Sequence, residues 1–136
     1  PMPGVVQVVV LEFKGVSSSS KPTAKSLKVS MGKRQYQTWD RGEFFFPVSK
    51  LREDLVISLL DASGNEIAHS DIRTAEIIEK RFWDEVFSVS ESGHVHLKLS
   101  FILSEEERNR IRVMRESAVR KKIAMDLSIE SISVTA

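Results

Sequence analysis

Apolar and polar residues alternate along most of the first hundred positions, and the alternation breaks at short clusters of Gly, Pro, Ser, Asn and Asp. The stretch "SLKVSM" (26–31) sets Leu27, Val29 and Met31 against Ser26, Lys28 and Ser30, which predicts a strand with one buried face. Gly32-Lys33 then reads as a two-residue hairpin turn into "RQYQT" (34–38), because Gly supplies the dihedrals such turns require. The β-branched run "VVQVVVLEF" (5–13) predicts a strand before that hairpin, and "EFFFPV" (43–48) one after it. Pro47 cannot donate to a ladder, so the latter strand belongs at an edge or ends there.

A second hairpin follows from "DLVISLL" (54–60), the turn "SGN" and "EIAHSDI" (66–72). In "HVHLKLSFIL" (94–103), Val95, Leu97, Leu99 and Phe101 share one face. Between them, "IRTAEIIEKRFWDEVFSV" (72–89) predicts a helical turn, with Thr74 as its candidate cap, and then a strand. Short strands separated by turn residues at regular intervals predict an antiparallel β-sandwich of about eight strands over residues 1–103.

The period changes at Ser104. "SEEERNRIRVMRESAVRKKIAM" (104–125) starts with Ser104 and Glu107 at capping-box spacing, places acids in its first turn and ends on Arg120, Lys121 and Lys122. It predicts a basic amphipathic helix about 33 Å long at 1.5 Å per residue. Residues 126–136, containing "LSIESISV", predict an irregular or β-prone tail. Ile111, Met114, Ala118 and Met125 lie near a heptad seam that Lys121 interrupts. An isolated helix of this length is marginal in water, so the stripe needs something to bury it. The expected occupant is a protein partner or a second copy in a homodimer.

Charge sharpens that division. The chain carries 20 Lys and Arg against 19 Asp and Glu. Residues 1–103 hold 13 of each, residues 104–125 hold 7 basic and 4 acidic, and residues 126–136 hold 2 acids and no base. The sandwich is therefore neutral and the basic excess is local to the helix, which disfavours global attraction to nucleic acid; no aromatic residue is interleaved with the helix arginines either. No apolar run approaches the roughly 18 residues of a membrane span. The chain has no cysteine, which excludes disulfides and thiolate metal sites and suits the reducing cytoplasm, with peripheral membrane attachment as the alternative.

The order "VVQVVVLEF", "KSLKVSMGKRQYQT", "GEFFFPV", "DLVISLLDASGNEIAHSDI", "FWDEVFSV", "HVHLKLSF" resembles the C2-domain family over about residues 5–103. The family pattern has a lysine-bearing hairpin, a phenylalanine-rich strand and an "L-V-I-x-L-x-D" strand followed by a short loop. In its calcium-binding members, two loops at one end of the sandwich supply several Asp carboxylates, since the ion needs six to eight oxygens. Here the matching loops are "GVSSSSKPTAK", without a single acid, and "DASGNE", which keeps Asp61 and has Ser63 and Asn65 beside it. The resemblance thus implies a calcium-independent C2-like domain with no metal or other cofactor. Some members present lysines on the hairpin to anionic lipid headgroups. The candidate lipid-binding residues here are Lys25, Lys28, Lys33 and Arg34, near Tyr36.

Catalytic chemistry is sparse. His94 and His96, two apart on one strand, share a face, and a zinc site would require a third ligand such as His69. Ser17–Ser20 has no positioned base, and no phosphate cradle, nucleophile elbow or HExxH helix occurs. The expectation is a non-catalytic, calcium-independent C2-like interaction or scaffold module with no catalytic residue. Peripheral binding of anionic phospholipid through the hairpin is the alternative, and a metal-dependent enzyme ranks below both.

Overall fold

The structure is a computed structural model that describes residues 4–16 and 22–135, with side chains in the last helix as far as Leu127. Its elements in chain order are β1 (Gly4–Gly15), β2 (Ser26–Met31), β3 (Arg34–Thr38), β4 (Gly42–Val48), β5 (Leu55–Leu60), β6 (Glu66–Ile72), α1 (Thr74–Lys80), β7 (Phe82–Ser88), β8 (Gly93–Leu103) and α2 (Glu105–Thr135). The eight strands form two four-stranded antiparallel sheets, ordered β4-β1-β8-β7 and β3-β2-β5-β6.

Alternation decides which side chains enter the space between the sheets. Val6, Val8 and Val10 of β1 and Val95, Leu97 and Leu99 of β8 are buried on one inner face; Leu27, Val29, Leu55, Ile57 and Leu59 are buried on the other. In β4, Phe46 and Val48 are buried while Phe45 stays exposed. Tyr36 stacks on Phe44 with centroids 5.0 Å apart and meets Phe46 edge-on at 5.3 Å, closing the core where β3 and β4 approach. Beyond Val10 the phase of β1 shifts: Glu12 and Lys14 are exposed and Phe13 packs against the core, past the point where pairing with β4 ends at Val10 and Gly42.

The turns follow the residues present. Met31 opposes Arg34 across Gly32-Lys33. Gly32 has φ 59° and Lys33 is not left-handed, the pattern of a type II′ hairpin. Pro47 sits in β4, at the edge of its sheet, where its missing N–H leaves no interior ladder broken. Thr74 is not the cap of α1: Arg73 occupies that position without a side-chain bond, while Thr74 is buried and its hydroxyl donates to the Glu53 carbonyl. Its oxygen is used to tie α1 to the β4–β5 connection.

The chain divides between Ile102 and Leu103 into two compact units. In the second, the Glu107 N–H donates to Ser104 Oγ at 3.2 Å and the Arg108 N–H to the Ser104 carbonyl at 2.9 Å. The expected reciprocal arm is redirected: the Glu107 carboxylate takes Arg110 as its partner. The helix continues to Thr135, 31 residues or about 46 Å, where an irregular or β-prone tail is expected from residue 126. No Gly or Pro interrupts 126–135, so nothing in the backbone forces a stop.

Candidate interaction surfaces

Strand directions gather the β1–β2, β3–β4, β5–β6 and β7–β8 connections at one end of the sandwich. Backbone bonds knit them: the Val16 N–H donates to Ser92 O at 2.8 Å, and the Lys25 N–H to Leu60 O at 2.7 Å. The run Ser17–Ser20 and Lys21 lie outside the described residues. Asp61, the one acid of "DASGN", accepts the Ser63 and Asn65 N–H groups through Oδ1, each at 2.9 Å. That geometry makes it the staple of its own turn. Among the described residues no three carboxylate, imidazole or thiol groups converge as metal ligands.

The same end displays Trp39, 66% exposed, and half-exposed Val16. Trp39 belongs to a three-residue connection in which Thr38 Oγ1 donates to the Arg41 carbonyl at 2.6 Å and accepts the Asp40 N–H at 3.3 Å. Sequence reading passes over this tryptophan, although its place in "TWDRG", a turn between two strands, signals an aromatic side chain held out of the core.

The four basic candidates of the hairpin do not form one patch. Lys28, between buried Leu27 and Val29, lies on the outer face of its sheet, opposite Gln37 on one side and Ser58 on the other. Arg34 opposes buried Met31 and so leaves its strand on the reverse side, exposed at the end of the sheet. Lys25 and Lys33 are both exposed but bracket β2, a six-residue strand of about 20 Å. Lys28 also has acidic company. The Glu66 carboxyl is held below its ordinary range first by the neighbouring Ser58 hydroxyl, then by His69, whose Nδ1 is 3.1 Å from Glu66 Oε2, and by the charge of Lys28.

The histidines separate in the same way. His94 and His96 lie on the outer face of β8, where they line a shallow groove with Glu12, Lys14 and Val86, and His96 Nε2 is 2.6 Å from Asp84 Oδ1. His69 is on β6, in the opposite sheet, so the trio that a zinc site would need does not assemble.

On α2, Ile111 is half-buried, whereas Met114, Met125, Val113, Val119, Ile123 and Leu127 are 53–66% exposed and Ala118 is exposed. The heptad reading finds Ile111, Met114, Ala118 and Met125 but omits Val119, Ile123 and Leu127, which repeat every fourth residue on the other side of the helix. No helix is long and apolar enough to cross a membrane among the described residues.

No family model matches the chain, and no curated protein matches its sequence. Solved structures do. The tandem C2 domains, A and B, of extended synaptotagmin 2 superpose with a TM-score of 0.64 at 18% identity, covering 76% of this chain and 42% of that one. The sandwich is a C2 fold. A structure of the same protein that holds its SMP domain with both C2 domains gives a TM-score of 0.63 at 17% identity over 76% of this chain and 28% of that one. The calcium-bound structure of the two C2 domains gives 0.58 at 17% identity, over 76% and 47%. The present chain spans less than half the length of each. At this identity the likeness establishes the C2 architecture that the strand order resembles.

Proposed function

We propose that this chain is a non-catalytic, calcium-independent C2-like interaction module whose binding element is α2. The observation that carries the reading is the α2 stripe of Ile111, Met114, Ala118 and Met125, in which Met114 and Met125 are 65% and 66% exposed to solvent. A helix of this kind gains most of its stability from burying such residues, so α2 is built to be covered. Calcium independence rests on the loop end: the ion needs several charged oxygens, and Asp61 already spends one of its two on backbone N–H groups.

Anionic-lipid association through the β2–β3 hairpin is the weaker reading. Arg34 and Lys28 leave opposite faces, and Glu66 offsets Lys28. Calorimetric calcium titration and partner binding by Ile111→Glu with Met114→Glu test the proposal together. The expected result is no calcium heat and loss of binding in the double variant, with the sandwich still folded. Micromolar calcium binding, or unchanged binding by the double variant, refutes it.

A further inference from the structure

The chemistry flanking the α2 stripe narrows what can cover it. At about 100° per residue, Ile111, Met114, Ala118 and Met125 fall within an arc of about 60°. Arg108, Arg115 and Lys122 run along one flank, and Arg110 and Lys121 along the other, all within about 50–90° of the midline. Arg110 is paired with Glu107; among the described residues no acid pairs with Arg108, Arg115, Lys121 or Lys122. The stripe is thus a narrow apolar line between two rows of cations.

A second copy fits that line poorly in either direction. With Ile111 and Ala118 at a positions and Met114 at d, the e positions are Arg108, Arg115 and Lys122, and the g positions Arg110, Ser117 and Ala124. A parallel pair sets Arg110 against Arg115 of the other helix, an antiparallel pair sets the basic e positions against each other, and Lys121 occupies a d position in both. A groove that captures a helix selects for large anchors, and α2 contains no aromatic residue. A modest apolar line with dense basic flanks instead matches a surface that is itself anionic and deformable.

We propose that the face of α2 formed by Ile111, Met114, Ala118 and Met125 lies on an anionic membrane surface, the stripe entering the headgroup boundary while Arg108, Arg115, Lys121 and Lys122 contact acidic headgroups. This rests on the reading that α2 is the binding element and names what it binds. The attachment is mainly electrostatic, because each basic residue near such a surface contributes about fivefold in affinity and the apolar line is short.

The test is cosedimentation of the full chain with phosphatidylcholine vesicles, with and without phosphatidylserine, at low and high salt, with helicity followed by circular dichroism. Binding is expected only with phosphatidylserine and falls with salt. Arg108→Gln, Arg115→Gln and Lys122→Gln together, which keep good helix formers, weaken it about 100-fold. Met114→Gln weakens it too, whereas Ile123→Ser on the opposite side and Lys28→Ala with Lys33→Ala leave it unchanged. Equal binding to both vesicle types, an unaffected triple variant, equal damage from Ile123→Ser, or equal retention by single-stranded RNA overturns the assignment. Concentration-dependent self-association that Met114→Gln abolishes, without vesicle binding, overturns the membrane assignment but keeps α2 as the binding element; insensitivity of all binding to α2 variants removes both.

Discussion

Replacing Asp61 separates a turn staple from a calcium ligand. Its Oδ1 accepts two backbone N–H groups at 2.9 Å, both in an exposed turn. A neutral intramolecular hydrogen bond contributes about 0.5–1.5 kcal/mol net, an ionised acceptor more, and solvent exposure reduces both. Asp61→Ala therefore costs about 1–2 kcal/mol, while Asp61→Asn retains an oxygen in the same place and costs under about 1 kcal/mol. For a sandwich of this size each kcal/mol moves the melting temperature by about 4–8 °C. Thermal unfolding of wild type and both variants, with calcium and with chelator, measures the two roles at once. A true calcium site would raise stability by about 2.7 kcal/mol at a hundredfold excess over its dissociation constant. The expectation is an Ala variant clearly less stable than the Asn variant, and no calcium shift in any of the three. If calcium raises the wild-type melting temperature and Asp61→Asn abolishes the rise, Asp61 is a ligand and the reasoning fails.

Phe46→Ala, which empties a fully buried site and removes the edge contact with Tyr36, should cost about 3–5 kcal/mol in urea unfolding, and its exposed neighbour Phe45→Ala within about 0.5 kcal/mol; equal losses would mean that the β4 face assignment is wrong. Because Glu66 is depressed from its ordinary 4.5 in the folded state, its contribution is present above that pH and is lost as pH falls through the folded value. Glu66→Gln should therefore be slightly less stable than wild type at neutral pH, and the urea midpoints should converge in acid; a gap that widens on acidification would contradict the sign. Thr74→Val removes the hydroxyl that reaches the Glu53 carbonyl and leaves that acceptor short of a partner, so a loss of about 1–3 kcal/mol is expected by the same assay, against no loss if Thr74 were idle.

Most of the sandwich is legible in the chain because each strand pairs a buried and an exposed face, and a period of two leaves little freedom once one face is apolar. The hairpin shows what alternation can also reveal when applied across a turn. Met31 points inward, Gly32-Lys33 is a two-residue turn, and so Arg34 takes the same parity as Met31, away from Lys28, at the exposed end of the sheet. Grouping Lys28 with Arg34 by proximity in sequence overlooks that parity. The role of Thr74 is not readable locally, because its partner, the Glu53 carbonyl, lies 21 residues away. The length of α2 escapes the sequence for a different reason: β-prone residues in 126–135 do not stop a helix that meets no Gly or Pro. The opposed apolar row at Val119, Ile123 and Leu127 is invisible to a search for one heptad seam, since it repeats at four residues on the far side.

Binding through α2 should need no calcium. Cosedimentation of the full chain with phosphatidylserine-containing vesicles, run in calcium and in chelator for wild type and Met114→Glu, separates the helix from the loop end. Wild-type binding should be equal in both conditions, and the variant should lose it in both. Binding that appears only with calcium and survives Met114→Glu would instead assign the site to the calcium-type loops and remove α2 from it.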